Sequence, residues 1–242
     1  MKEMNLTTLN NKVAYITGGT KGIGLGTAKV LLDAGMRVAI SGRNLEDAQK
    51  AAVSLGDESK IIGIQSDVTN FDNEQNAVEQ IKNHFGQVDV VVANAGLGNF
   101  APVDELSVDQ WHQMINTNLN GVFHTLKAAV EELKKSEGYY ITLASLAGTN
   151  FFENGAGYNA TKFGVVGFTQ AAMLDLRKYN IKVSTIMPGS VATHFNNHVP
   201  SDSDAWKIQP EDIGELVLDL LKMNPRTLPS KIEVRPTRPD LK

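Results

Sequence analysis

The chain contains no cysteine, which excludes disulfide bonds and thiolate chemistry and fits a reducing compartment. No apolar run approaches the ~18 residues that a membrane-spanning helix needs. Residues 1–11 are polar and lack the apolar core of a secretory leader. The formal net charge of −4 gives no general attraction to nucleic acid or anionic lipid. We therefore expect a cytoplasmic protein with neither a nucleic-acid nor a membrane partner.

What the sequence does contain is a regular alternation of short apolar runs and amphipathic helical runs, with no linker between them. Continuously apolar runs are typical of parallel strands covered by helices on both faces. The pattern predicts an α/β protein, a doubly wound parallel sheet of about seven strands in a single domain, 1–242. The predicted strands are 13–17, 37–41, 61–66, 88–93, 139–144, 183–187 and 232–234, and the predicted helices are 23–34, 45–55, 73–85, 108–135, 156–178 and 210–223. We expect a bend in the longest helix at 119–121.

A glycine-rich segment joins the first predicted strand to the first predicted helix, with the spacing Gly-x-x-x-Gly-x-Gly over 18–24. Glycines here let the backbone turn tightly and approach a pyrophosphate, and the helix N-terminus supplies free N–H groups and a favourable dipole. This context predicts a dinucleotide cofactor. Its expected contacts in this segment are Gly18, Thr20, Lys21, Gly22, Ile23 and Gly24.

The end of the second predicted strand indicates which dinucleotide is bound. An acidic residue there would bind the ribose 2′-hydroxyl of NAD. This chain has Ser41-Gly42-Arg43-Asn44 instead, without a carboxylate. Arg43 offers a fork of donors to a 2′-phosphate, and Lys21 adds a second cation from the glycine loop. We therefore predict NADP, with NADPH favoured over NADH.

Two further segments follow predicted strands on the same edge of the sheet. Asp67 and Val68 follow the third strand, where we expect them to meet the adenine. Asn94, Ala95 and Gly96 end the fourth strand, at the point where the strand order reverses and ligands bind.

Tyr158 and Lys162 are four residues apart in a predicted helix, so both side chains lie on one face, one turn apart. An ammonium near a phenol favours the phenolate and lowers the Tyr pKa from its reference of about 10. The pair is therefore a candidate for acid–base chemistry.

In the order of these motifs, the sequence closely resembles the compact form of the short-chain dehydrogenase/reductase family over about residues 10–193. The matching segments are 17–24, Asn94-Ala95-Gly96, Asn118 in 118–121, Ser145 at the end of the fifth strand, Tyr158 with Lys162, and 188–193. The resemblance implies a Rossmann-type fold and a nicotinamide-dependent oxidoreductase.

The resemblance also implies a catalytic set of Asn118, Ser145, Tyr158 and Lys162. Ser145 would hydrogen-bond the substrate oxygen, and Tyr158 would act as general acid or base. Lys162 would hold the ribose hydroxyls and lower the Tyr158 pKa, and Asn118 would hold a water of the proton relay. Cofactor contacts are implied at Tyr158, Lys162, Pro188, Val191 and Thr193.

The leading functional hypothesis is an NADP-dependent carbonyl reductase or alcohol dehydrogenase acting on ketones and secondary alcohols. Two alternatives stay open: a 3-oxoacyl-ACP thioester reductase, which would want a basic patch at the pocket mouth, and a non-catalytic dinucleotide-binding sensor, which would not need four catalytic residues. A sugar-nucleotide epimerase or dehydratase would want a longer C-terminal substrate domain. We expect a homodimer or homotetramer.

The segment 194–209 is predicted to be a short substrate lid. His194 and His198 lie in it, but no carboxylate or cysteine completes a metal site in the sequence pattern, so no metal is expected. The candidate pocket residues are apolar and mostly aromatic, which suits an apolar carbonyl substrate: Leu97, Phe100, Phe151, Phe152, Phe195 and Trp206.

Overall fold

The computed structural model describes residues 9–238, so most of the polar N-terminal segment, 1–8, and the last residues, 239–242, lie outside the described part. The strands are β1 (Val13–Ile16), β2 (Arg37–Gly42), β3 (Ile61–Gln65), β4 (Val90–Ala93), β5 (Tyr139–Leu143), β6 (Lys182–Pro188) and β7 (Lys231–Val234). The α-helices are α1 (Gly22–Asp33), α2 (Leu45–Leu55), α3 (Phe71–Phe85), α4 (Val108–Met114), α5 (Gly121–Ser136), α6 (Ala156–Leu176) and α7 (Pro210–Lys222).

All seven strands are parallel and form one sheet in the order β3-β2-β1-β4-β5-β6-β7. Because β1 neighbours β4, the chain adds strands β2 and β3 on one side of this pair and strands β5, β6 and β7 on the other. The predicted fold class, a single doubly wound α/β domain, is confirmed. The reversal places the carboxyl ends of β1 and β4 at the crevice where such sheets bind ligands.

The core lies in two layers, one on each face of the sheet. In β1, Val13 and Tyr15 belong to the layer that contains α3, α5 and α6, whereas Ala14 and Ile16 belong to the layer with α1 and α7. Neighbouring residues thus face opposite layers, as the pleat requires. Both layers are apolar, which explains why the strands are apolar without alternation.

Strand β4 begins at Val90, two residues later than predicted, and the side chain of Asp89 just before it bonds to the beginning of β1. Its carboxylate accepts the backbone N–H of Val13 at 2.8 Å and pairs with Lys12 Nζ at 2.7 Å. The carboxylate therefore joins the beginnings of β1 and β4 before the regular ladder starts.

The long helical run 108–135 is divided by a π-helical turn, Ile115–Asn120, between α4 and α5. The backbone stays helical through the junctions, so the expected bend at 119–121 takes the form of a wider turn. Such turns carry one extra residue and are frequent at functional sites. Asn118 lies in this turn and is buried.

The lid segment 194–209 is anchored at both ends. At its base, Val191 and Ile208 form a short parallel bridge. After it, α7 packs against α1 so closely that a Cβ on Gly26 would lie 2.7 Å from Pro210. Within residues 9–238, no helix combines the length and the apolar character needed to cross a membrane.

Candidate active site

The glycine loop after β1 is held against the loop after β4 by Asn94. Its amide nitrogen donates to the carbonyls of Thr17 at 2.8 Å and Gly18 at 3.0 Å. In return, the Thr17 hydroxyl accepts the N–H groups of Asn94 and Ala95, both at 3.1 Å. Gly18 has φ +63°, and a Cβ there would lie 2.9 Å from Ala95 Cα. A glycine is therefore required for the turn and for this close approach.

Helix α1 opens onto a cavity of about 1360 Å³. Its N-cap, Lys21, makes no side-chain hydrogen bond to the first turn, so the helix N-terminus is available to an anion. The uncapped turn, the glycine loop and the cavity size fit a dinucleotide. The predicted cofactor residues that line the cavity are Gly18, Thr20, Lys21, Gly22, Ile23, Arg43, Asp67, Val68, Asn94, Ala95, Gly96, Tyr158, Lys162, Pro188, Val191 and Thr193. Gly24 does not line it, because it packs beneath the loop, where a Cβ would meet Gly18 O at 2.7 Å.

Three of the four predicted catalytic residues line the same cavity. Ser145 follows β5, and its hydroxyl accepts the N–H of Ala147 at 3.1 Å. Tyr158 lies in the first turn of α6, and Lys162 follows one turn later. The Lys162 ammonium donates to Leu143 O at 2.9 Å and lies 5.6 Å from the centroid of the Tyr158 ring.

Burial dominates the electrostatics of this pair. It raises the pKa of Tyr158 to about 12, although the hydrogen bond with Ser145 acts in the opposite direction. Burial also lowers the pKa of Lys162 to about 8. The expected lowering of the Tyr158 pKa by Lys162 is therefore not seen in this structure. The reason is that desolvation opposes the charged form of both groups.

Asn118, the fourth member of the set, lies behind the cavity wall. Its amide forms a two-way bridge with Leu97, donating to Leu97 O and accepting Leu97 N, both at 2.8 Å. A third bond links it to Thr161 Oγ1 of α6 at 3.1 Å. Asn118 thus ties the loop after β4 to the helix that carries Tyr158 and Lys162.

Asn159 is a structural residue that the sequence analysis missed. It is buried beside Tyr158 and donates to Ala147 O at 2.6 Å and Asn150 O at 2.7 Å. These bonds fix α6 to the loop that carries Ser145. The signal available in the sequence was a polar residue on the buried face of an otherwise apolar helix.

At the other end of the cavity, Arg43 is exposed, and no carboxylate among residues 9–238 pairs with it. Ser41 precedes Gly42-Arg43, and Ser66 precedes Asp67-Val68. The hydroxyls of both serines belong to a buried cluster of polar side chains around Glu74. Glu74 Oε1 accepts Ser66 Oγ at 2.6 Å and Tyr15 Oη at 3.0 Å, and Tyr15 Oη lies 3.1 Å from Ser41 Oγ. Burial raises the pKa of Glu74, although its hydrogen bonds act against this.

The lid is organised around Asp204, which the sequence analysis also missed. Its buried carboxylate pairs with Lys207 Nζ at 2.5 Å and His198 Nε2 at 2.6 Å and accepts Ser201 N at 3.0 Å. The bonds from Lys207 and His198 hold its pKa well below the usual range. His198 therefore has a structural partner, and no group of three potential metal ligands occurs within residues 9–238.

The predicted pocket residues divide into two groups. Leu97, Phe152 and Phe195 line the cavity, whereas Phe100 does not line it and reaches the site only through its edge contact with the Tyr158 ring. Phe151 and Trp206 do not line it. Phe151 turns instead to a separate depression, where it stacks on Phe163 with ring centroids 5.3 Å apart. These two predictions were wrong because adjacent loop residues point in different directions, which the sequence pattern does not reveal.

Comparison with known proteins agrees with this architecture. A family model described as short chain dehydrogenase matches residues 12–204. An uncharacterized oxidoreductase of Staphylococcus aureus (strain MW2) is 34% identical over 232 residues, covering 96% of this chain and all of that protein.

Two solved structures are similar over nearly the whole chain. An alcohol dehydrogenase from the archaeon Thermococcus sibiricus, complexed with 5-hydroxy-NADP, has a TM-score of 0.89 at 31% identity and covers 96% of this chain and 100% of that one. A 3-ketoacyl-(acyl-carrier-protein) reductase from Brucella melitensis, complexed with NADH, has a TM-score of 0.87 at 26% identity, with coverage of 95% and 99%. The chain thus belongs to the short-chain dehydrogenase family and is an oxidoreductase.

Proposed function

We propose that this oxidoreductase reduces ketones to secondary alcohols with NADPH, and that Tyr158 is the general acid. The observation that carries the proposal is the convergence of Ser145, Tyr158 and Lys162 on the cavity that also contains the glycine loop. A nucleotide at the uncapped end of α1 and a carbonyl beside Tyr158 would share this single space.

Bound NADPH would supply a hydride to the carbonyl carbon. Ser145 donates its hydroxyl hydrogen bond to the carbonyl oxygen and stabilises the negative charge that develops there. Tyr158 transfers its phenolic proton to the same oxygen, which completes the alcohol. A Tyr158 pKa of about 12 keeps the phenol protonated at neutral pH, ready to donate.

Lys162 has two roles in the proposal. Its pKa of about 8 leaves it mainly charged at pH 7. It holds the ribose hydroxyls of the nucleotide, and its charge stabilises the phenolate formed after Tyr158 donates. Asn118 supports the cavity wall from behind, because its amide oxygen and nitrogen are engaged by Leu97 and Thr161 rather than facing the cavity.

NADPH is proposed over NADH because Arg43 and Lys21 line the cavity where the adenosine 2′ position is expected, and no carboxylate follows β2. The Thermococcus relative was solved with an NADP derivative and the Brucella relative with NADH, so the likeness alone does not decide the preference. The charge pattern of this chain supports NADPH, since a guanidinium favours a phosphate.

The likeness to the 3-ketoacyl reductase makes reduction of a 3-oxoacyl thioester the second candidate. An acidic carrier would need a free basic patch at the cavity entrance. The basic side chains of the predicted lid, His198 and Lys207, are both paired with Asp204, which favours a small ketone. A sensor without catalysis is disfavoured because it would not need Ser145, Tyr158 and Lys162 together.

We also propose that the protein forms a homodimer or homotetramer in the cytoplasm. Phe123 of α5 and Phe163 of α6 are 49% and 37% exposed, and a subunit contact would bury their apolar surface. Light scattering on the purified chain tests the mass of the assembly.

The test of the function is an initial-rate assay of NADPH oxidation with a panel of ketones. Tyr158→Phe keeps the ring and removes the proton, so turnover should fall about 100-fold or more while nucleotide binding, followed by fluorescence titration, is retained. Tyr179→Phe is the matched control, because Tyr179 is exposed beyond α6. Wild-type turnover by Tyr158→Phe would overturn the mechanism.

A further inference from the structure

Three phenyl rings from three different loops cluster beside the Tyr158 phenol, two in contact with its ring and the third in contact with Phe100. Phe100 follows β4, Phe152 follows β5 and Phe195 follows β6. Phe100 lies edge-on to Tyr158 with ring centroids 5.3 Å apart, and Phe195 is tilted against Tyr158 at 5.6 Å. Phe100 also contacts Phe152 at 5.7 Å and Phe195 at 6.2 Å. The four rings therefore form one continuous cluster at the proposed proton donor.

Two glycines make room for these rings. A Cβ on Gly98 would lie 2.7 Å from Phe195 and 2.8 Å from Phe100. A Cβ on Gly155 would lie 2.5 Å from Phe152. Such distances are well inside van der Waals contact, so the rings occupy positions that only glycine permits. The two glycines thus leave the space that the rings fill, and Phe152 and Phe195 line the cavity.

The rings are only partly covered by the protein. Phe100, Phe152 and Phe195 remain 36%, 46% and 37% exposed, although they already contact one another. Uncovered aromatic surface next to a reactive group is apolar area that a ligand can bury. Aromatic rings prefer edge-to-face or offset partners, which a flat ring can satisfy better than a puckered or branched alkyl group.

We propose that the substrate is a ketone that carries a flat aromatic ring next to its carbonyl, and that Phe152 and Phe195 are the residues that select it. This inference rests on the proposed ketone reduction. The substrate ring lies between Phe152 and Phe195 and the carbonyl oxygen points to Tyr158 and Ser145. Phe100 supports both Phe195 and Tyr158 from behind.

A matched pair of substrates tests the aromatic preference. Acetophenone and cyclohexyl methyl ketone have the same number of carbon atoms and differ in the flatness of the ring. Because alkyl and aryl ketones differ in intrinsic reactivity, the informative quantity is how each variant changes kcat/KM for each substrate. Phe152→Leu and Phe195→Leu keep an apolar side chain but remove the aromatic face.

We expect each Leu variant to lower kcat/KM for acetophenone about tenfold, mainly through KM, and to change the value for cyclohexyl methyl ketone less than about threefold. Phe151→Leu is the control, because Phe151 is the neighbouring ring in sequence, is 83% exposed and lines the other depression. It should leave both values unchanged. Thermal unfolding of each variant checks that the fold is intact.

The outcomes separate the two proposals. Equal losses with both ketones, or no loss with either, would overturn the aromatic preference while ketone reduction stands. Absence of turnover with any ketone and with the N-acetylcysteamine thioester of acetoacetate would overturn the proposed function itself. A large preference for that thioester over acetophenone would overturn the aromatic substrate and favour the acyl thioester reductase.

Discussion

Lys162→Met is the variant that examines the buried charge at the active site most directly. Lys162 is 5% exposed, and burial lowers its pKa from 10.5 to about 8. A fall of this size corresponds to about 3 kcal/mol of lost folding free energy while the group is charged. Methionine has a similar shape and no charge. It loses the bond to Leu143 O, worth about 1–2 kcal/mol. We therefore expect the variant to be about 1–2 kcal/mol more stable at pH 7 and almost inactive.

The pH dependence gives the sharper test. Below pH 8 the ammonium is present in the folded and unfolded states, so the wild type carries the full penalty. Between pH 8 and 10.5 the folded protein has lost this proton while the unfolded chain keeps it, so the wild-type stability rises with pH. The methionine variant lacks this rise. Its stability advantage should therefore shrink by about 3 kcal/mol from neutral pH to pH 10.5.

Urea unfolding followed by the fluorescence of Trp111 and Trp206 measures both quantities at a series of pH values. Lys29→Met is the control, because Lys29 is exposed on α1, and its pH profile should run parallel to the wild type. A methionine variant at Lys162 that is less stable at pH 7, with a difference that does not change with pH, would refute the buried-charge reasoning. Nucleotide titration should show weaker NADPH binding as well, since Lys162 is proposed to hold the ribose.

Three further predictions concern the cofactor end, the packing of the sheet and the buried acid. Arg43→Ala should raise the KM for NADPH at least tenfold with little change for NADH, and equal effects would contradict the 2′-phosphate assignment. Gly63→Ala should lower the free energy of unfolding by about 1–3 kcal/mol, because the new methyl overlaps the Ala48 carbonyl of α2, whereas Gly167→Ala, which meets open space, should cost nothing. Glu74→Gln should gain stability relative to the wild type as the pH rises above 4.5, since the raised pKa of Glu74 means that ionisation disfavours the folded state. An advantage that falls over this range in urea unfolding would show that the folded state prefers the carboxylate.

The sheet and most of the cavity wall could be predicted from the sequence because their signals are local. Strands buried on both faces are apolar throughout, and the glycine loop has to follow the first of them. Tyr158 and Lys162 could be placed on one face because helical spacing alone brings them together. The predicted boundaries differ from the structure by a few residues, as at β4, where the side chain of Asp89, rather than a backbone carbonyl, accepts the N–H of Val13.

The features that escaped prediction depend on long-range contacts. Glu74 occupies a helix whose pattern suggests an exposed acid, and only the fold brings Tyr15 and Ser66 to it. The bend at 119–121 could be expected from the sequence, but its π-helical form and the pairing of Asn118 with Leu97 could not, because Leu97 lies on a different loop. The direction of the Tyr158 pKa was wrong for a similar reason, since proximity to Lys162 is readable from spacing whereas desolvation is not.

The anchoring of the predicted lid has a consequence for how the binding of one ligand affects the binding of the other. The predicted lid leaves the sheet beside Val191, which lines the cavity, and rejoins the fold at Pro210, which packs on Gly26 of the helix that follows the glycine loop. Phe195, on the lid, contacts the ring of Tyr158. Contacts therefore run from the proposed nucleotide end of the cavity through the predicted lid to Tyr158, so a nucleotide that orders this segment would also favour the placement of Phe195 beside the substrate. By reciprocity, a substrate that engages Phe195 would then tighten the binding of the nucleotide by the same free energy.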